Sequence, residues 1–210
     1  MSIKKLNEIV DSPSVELGTT ILDSLVSVPL GGIVVATYKV GVGIADYCLF
    51  GKFAHFWEPM SGMERKVDDY LGKLSPYEQN KLGEYMLSLL SKAESSEKTQ
   101  IMGMIFKSAV QKVIDKEMML RLVSIVGRSF VPDLKELPKY MDASEDFTIA
   151  ANEFINLGLI DNETGGYWKD RPALELNDIG KTLCRILEQE GWQYSLYSAT
   201  ENRTPIAIHI

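Results

Sequence analysis

The chain contains 210 residues, 45% of them apolar and 24% charged, a balance that is typical of a folded protein and excludes a disordered chain. A net charge of -7 disfavours broad binding to the phosphate backbone of nucleic acids, which requires a local excess of lysine and arginine. Cys48 and Cys184 lie far apart in the sequence. They therefore indicate a reducing compartment, and argue against a disulfide framework or a structural zinc site.

Residues 1–20 do not have the pattern of a secretory signal. Their basic pair is followed by acidic residues, and the apolar run begins late and lacks a small-residue cleavage site. We therefore predict a cytoplasmic protein, with peripheral contact to the inner membrane as an open alternative.

The most apolar part of the chain is the segment of residues 24–57. Pro29 and the glycine pair after Leu30 divide it, and residues 33–49 are apolar on nearly all sides. Such a segment is typical of a central helix that other helices surround. The fold is therefore predicted to be mainly α, with a helical bundle around a central apolar helix at 33–49.

Membrane contact by the same segment is the alternative. The uncharged run from residue 24 to residue 38 is shorter than the ~20 residues that cross a bilayer. Lys39 and Asp46 would each cost about 3 kcal/mol within the hydrocarbon zone. The aromatic side chains that end the segment suit either an interfacial belt or a core. The residues expected to meet a membrane or a partner are Lys39, Asp46, Phe50, Phe53, Phe56 and Trp57.

Amphipathic patterns predict a series of helices in the middle of the chain, at residues 63–74, 76–93, 100–114, 116–128 and 132–141. The second of these carries a strong start signal. Ser75 is suited to the N-cap, Pro76 to the first helical position, and Glu78 lies three residues after the cap.

The pattern after Ser144 is more specific. A helix from Ser144 to Leu157 would end at Gly158, and residues 173–176 alternate like a strand. Tyr167-Trp168 and this strand predict one small β-hairpin. Asn177 is placed to cap a last helix over residues 178–189.

This order of helix, Leu-Gly-Leu-Ile, short strand, loop, second strand and capped helix resembles the end of a winged-helix domain. The resemblance covers about residues 95–190. It implies a helical domain at 1–94, with the apolar segment 24–57 at its centre, and a winged-helix-like domain with a C-terminal tail at 95–210. The chain is also vaguely similar to uncharacterised accessory-genome proteins of bacteria, which suggests a regulatory or host-defence setting.

Winged-helix domains usually bind DNA through the helix before the wing. Between residues 141 and 160, however, this chain has carboxylates and neither lysine nor arginine, and carboxylates repel phosphates. Lys169 and Arg171 at the wing are the candidate nucleic-acid contacts. Nucleic acid is therefore a disfavoured partner.

No motif for catalysis or for cofactor binding is found. His55 and His209 are the only histidines, and neither has cysteine or carboxylate partners at ligand spacing. Gly41 and Gly43 lack the third glycine of a dinucleotide-binding loop. We predict no enzyme, no cofactor and no metal site.

The leading hypothesis is a non-enzymatic interaction or regulatory protein that contacts a protein partner or itself. The alternatives are a membrane-active protein that exposes residues 24–57 on a trigger and a DNA-binding winged-helix regulator.

Overall fold

The computed structural model describes residues 44–161 and 173–192, and this part of the chain is mainly helical. Its α-helices are α1 Ile44–Trp57, α2 Glu64–Leu71, α3 Pro76–Lys92, α4 Ser96–Val110, α5 Lys116–Arg128, α6 Val131–Leu134, α7 Ile149–Asn156 and α8 Asp178–Gln189. Two short 3₁₀ turns cover Glu58–Met60 and Leu137–Tyr140. The predicted mainly α class is confirmed. The predicted central helix at 33–49 lies almost entirely outside the described residues and stays a prediction.

Helix ends follow the local start and stop signals of the sequence. At α3, the amide of Glu78 donates to Ser75 Oγ over 3.3 Å, and the amide of Ser75 donates to the Glu78 carboxylate over 3.0 Å. This is the predicted capping box. At α8, the side-chain oxygen of Asn177 accepts from the amides of Ile179 and Gly180, so that the predicted cap is also confirmed.

Three helices differ clearly from their predicted bounds. α4 covers Ser96–Val110 instead of residues 100–114, because Ser95 caps it by accepting from the amide of Lys98. The helix expected over 132–141 is divided into α6 and a 3₁₀ turn. Pro138 lies in that turn and disfavours α-helical geometry at the residue before it. The helix expected from Ser144 begins only at Ile149, where Thr148 Oγ1 accepts from the amide of Ala151. Ser144 is instead paired with Leu174, which lies far along the chain.

The core is organised around α4, which is buried on nearly all sides. α1 packs along α4, and their close approach depends on Gly103. A Cβ atom at this position would lie 2.1 Å from the carbonyl oxygen of Phe56. Lys98 is enclosed in the same helix, with a side chain 2% exposed and its ammonium 3.3 Å from Glu94. Within the described residues, α4 therefore has the enclosed position that the sequence assigns to residues 33–49.

The C-terminal part joins this core through α8. Leu174 forms an isolated antiparallel bridge with Ser144, and Leu176 forms another with Ile160. Both leucines are buried. Part of the predicted β-hairpin falls on residues 162–172, outside the described residues. One continuous cluster of buried side chains extends from α1 to Trp192. The division at residue 94 stays a prediction.

Candidate partner-binding surface

The structure separates the residues that the sequence predicts for membrane or partner contact. Lys39 lies outside the described residues, and Asp46 and Phe50 fall within α1. Phe53, Phe56 and Trp57 are all buried. Lys169 and Arg171, the candidate nucleic-acid contacts, also lie outside the described residues.

The three buried aromatic side chains of α1 form a cluster against α4. The ring of Phe106 lies 5.5 Å from that of Phe56 and 6.0 Å from that of Trp57, both in edge-to-face geometry. Within the described part of the chain, the buried Trp57 Nε1 and the buried hydroxyl of Tyr70 have no hydrogen-bond partner. In this conformation the cluster therefore faces the core, and contact with a membrane or partner would require α1 to move away from α4.

A different surface is exposed on α7. Its inner side consists of Ala150, Ala151 and Phe154, all buried against the core. Its outer side presents Ile149, Asn152, Glu153 and Asn156, and we call these four residues the α7 surface. Ile149 is 86% exposed, more than any other large apolar side chain of the described residues.

The carboxylates of Asp133 and Glu136 lie close to α7. Partial burial raises the pKa of the Asp133 carboxyl on α6, and the negative charges of Glu136 and Glu153 raise this pKa further. Lys139 lies 3.4 Å from Glu136 and partly offsets that charge. The ammonium of the other lysine nearby in sequence, Lys135, lies instead 3.4 Å from Glu97. The carboxylates of Asp133, Glu136 and Glu153 are therefore close enough to repel one another, and positive charge on a partner would reduce this repulsion.

The start of α7 is fixed in place by Tyr140. The ring of Tyr140 is buried and packs edge-to-face on Phe154 at 5.8 Å. Its hydroxyl donates to the carbonyl of Asp146 over 2.9 Å and lies 2.9 Å from Thr148 Oγ1. Burial is the main cause of the raised pKa of this phenol. Since Thr148 caps α7, this network holds the α7 surface in a defined orientation.

Exposed aromatic residues lie next to α6 and α7 in the chain. Phe130 precedes α6 and is largely exposed, and Phe147 is partly exposed two residues before α7. The helix predicted from Ser144 would include Phe147, but the late start of α7 leaves this residue in the preceding loop. Phe147 and Ile149 are therefore two exposed apolar residues at the start of α7.

The described residues contain no group of three or more histidine, cysteine, aspartate and glutamate side chains arranged to hold a metal ion. The ring nitrogen Nδ1 of His55 lies 3.5 Å from the carboxylate of Glu58, and both side chains are partly exposed. No helix in residues 44–161 or 173–192 has both the length and the apolar character needed to cross a membrane. Comparisons of the chain with protein-family models, with curated proteins and with solved structures gave no match.

Proposed function

We propose that this protein is a non-enzymatic interaction protein whose α7 surface binds a protein partner. The observation that carries the proposal is the position of Ile149, an aliphatic side chain 86% exposed on a helix whose other side is firmly packed. Exposed apolar side chains in a rigid, polar frame are typical of protein-binding surfaces. Tyr140 and Thr148 provide the rigid frame here.

The charges around α7 define the chemistry of the partner. Glu153 lies one helical turn after Ile149, and Glu136 lies 3.4 Å from Thr148 at the start of α7, so a complementary surface would combine an apolar patch with lysine or arginine. The same charges disfavour DNA, because its phosphates would meet carboxylates where a groove-binding helix needs basic residues. The charges around α7 therefore favour a protein partner over DNA.

We also propose that the C-terminal part is a winged-helix-like domain. In its support, α7 is followed in the chain by Ile160, which is bridged to Leu176, and then by the closing helix α8, while Leu174 is bridged to Ser144 ahead of α7. We infer that the fold is retained while its usual DNA-binding helix has been adapted to a protein partner. A regulatory role, in the bacterial host-defence setting that the sequence resemblance suggests, is consistent with this use.

Site-specific photo-crosslinking tests the proposal. A benzoylphenylalanine at position 149 is expected to capture a discrete protein in the producing cell. The same group at Val113, which is also exposed and lies at the end of α4, provides the matched control. The Glu153→Lys exchange is expected to reduce the cross-link from position 149 at least fivefold, because it reverses the charge beside it. Equal cross-linking from positions 149 and 113, or indifference to Glu153→Lys, would contradict the proposal.

A second candidate function, membrane contact by α1, is favoured by Trp57. Its indole N–H is buried without a partner among the described residues, whereas tryptophan at a membrane interface can bury its ring and keep this group hydrogen-bonded. Vesicle flotation tests this candidate. If α1 is released, the protein should bind anionic vesicles and its tryptophan emission should shift to the blue. Trp57→Phe should make this shift smaller. If the protein stays entirely in the lipid-free fraction at every pH and salt concentration used, this candidate fails.

A further inference from the structure

A half-open cleft of about 330 Å³ lies between the first half of α3 and the first turns of α5, away from the α7 surface. Its wall is mainly apolar. Leu82 is buried on the α3 side, and Leu120 lies on the α5 side. Tyr85 also lines the cleft, and its hydroxyl donates to the carbonyl oxygen of Leu120 over 3.3 Å. This hydrogen bond holds the tyrosine ring in place, so the apolar part of the cleft is preformed.

The rim of the cleft carries an exposed aromatic ring and a lysine. Tyr77 is 70% exposed, and the Lys81 ammonium lies 5.9 Å from the centre of its ring. Lys81 also lies 3.6 Å from Glu84, but both side chains are mostly exposed. Exposed pairs at such distances are weak, so the Lys81 ammonium can exchange Glu84 for another anion at little cost.

The second lysine of the cleft, Lys116, already forms an ion pair. Lys116 donates to the Glu78 carboxylate over 2.9 Å, and Glu78 also takes part in the capping box of α3. This pair therefore forms a polar part of the cleft wall, and Lys81 is the lysine with the weaker carboxylate contact.

We propose that the cleft between α3 and α5 binds a small planar aromatic carboxylate. The ring would lie against Leu82, Leu120 and the tyrosine rings, and the carboxylate would bind the Lys81 ammonium. The volume is at the lower end of the range for ligand pockets, which fits a bicyclic ring with one anionic group. The site is independent of the α7 surface, so either proposal can fail without the other.

The test is an NMR titration of the full chain with 2-naphthoate, with the neutral 2-naphthalenemethanol as the matched probe. For a molecule of this size, saturable binding with a Kd of about 1 mM or tighter is expected. The alcohol should bind at least about fivefold more weakly. Lys81→Ala should bring the naphthoate to the same affinity as the alcohol.

Three further variants make the outcome decisive. Tyr77→Ala removes an exposed ring without disturbing the core and should weaken both probes severalfold, and Leu120→Trp should fill the cleft and abolish both. Phe130→Ala, at the far end of α5, should change neither. The proposal is overturned by the absence of saturable binding up to 10 mM. Equal affinity for the two probes, or an affinity that Tyr77→Ala and Lys81→Ala leave unchanged, overturns it as well.

Discussion

Replacement of Gly103 by alanine is the most direct test of how α1 and α4 pack. The new Cβ would lie 2.1 Å from the carbonyl oxygen of Phe56 and 2.9 Å from its carbonyl carbon. These are backbone atoms of a helix and cannot rotate away, so α1 would have to move outwards by roughly 1 Å to reach ordinary contact distances. This movement would also loosen the edge-to-face contacts of Phe56 and Trp57 with Phe106.

The expected loss follows from opposing contributions. Overpacking of a core costs about 1–3 kcal/mol, and each loosened aromatic pair adds about 0.5–1.5 kcal/mol. Alanine in a helix interior recovers about 1 kcal/mol relative to glycine. The free energy of unfolding should therefore fall by about 1–5 kcal/mol, with a central value of about 3 kcal/mol. With a urea dependence of about 2 kcal/mol per molar, this central value lowers the midpoint of unfolding by about 1.5 M.

Urea unfolding followed by circular dichroism measures this change, and Gly51→Ala provides the control. Gly51 lies inside α1, and a Cβ there would have no heavy atom within 4 Å apart from the helix itself and its chain neighbours. This control should therefore raise the midpoint slightly through helix propensity alone. If Gly103→Ala unfolds at the same urea concentration as the original chain, or at a higher one, α1 and α4 do not pack at the close distance described.

Three further predictions concern other parts of the molecule. Gly180→Ala should destabilise the protein by about 1–3 kcal/mol in urea unfolding, because its Cβ would lie 2.5 Å from the carbonyl oxygen of Leu159. No loss of stability would show that α8 does not pack so closely. The pKa of Glu78 is lowered from 4.5 to about 2, chiefly by its hydrogen bond with Lys116. The stability deficit of Glu78→Gln should thus be fully present above about pH 5 and disappear as the pH falls towards 2, in unfolding measured across this range. A constant deficit would contradict the assignment. For Asp133, whose pKa is raised, the sign is opposite: its favourable contribution is present at low pH and lost as the pH rises through the raised value. Asp133→Asn should therefore raise the free energy of unfolding at pH 7 by less than about 1 kcal/mol, which a slightly higher thermal midpoint would show. A lower thermal midpoint would contradict this prediction.

The sequence predicts those features that depend on neighbouring residues. α5 begins and ends at the predicted residues, Lys116 and Arg128, because its apolar stripe is regular and Asp115 caps it. The capping box of α3 is likewise complete within four consecutive residues. Gly158, predicted to end a helix, has the positive φ of 72° that such a residue requires.

Features that depend on residues distant in the sequence are not predictable in this way. Ser144 is suited to a helix start, but its pairing with Leu174 takes its backbone out of the helix. Lys98 has the side chain of a surface residue and is nevertheless enclosed in the core. The exposure of Ile149 depends on which side of α7 faces the core, and the structure shows that Phe154 faces it. A signal was present in the sequence, because Ile149 shares one side of the helix with the polar residues Asn152 and Asn156.

The Gly103→Ala variant also decides whether α1 is a membrane-contacting element. The clash with Phe56 affects only the state in which α1 is packed on α4, so the free energy needed to release α1 should fall by at least as much as the free energy of unfolding. A loss of about 3 kcal/mol corresponds to about a 150-fold larger released population. If membrane contact is a function of α1, flotation with anionic vesicles should increase markedly in Gly103→Ala and remain unchanged in Gly51→Ala. A variant that loses stability and still does not bind vesicles would show that the buried aromatic cluster serves the core alone, which leaves the α7 surface as the remaining candidate for partner contact.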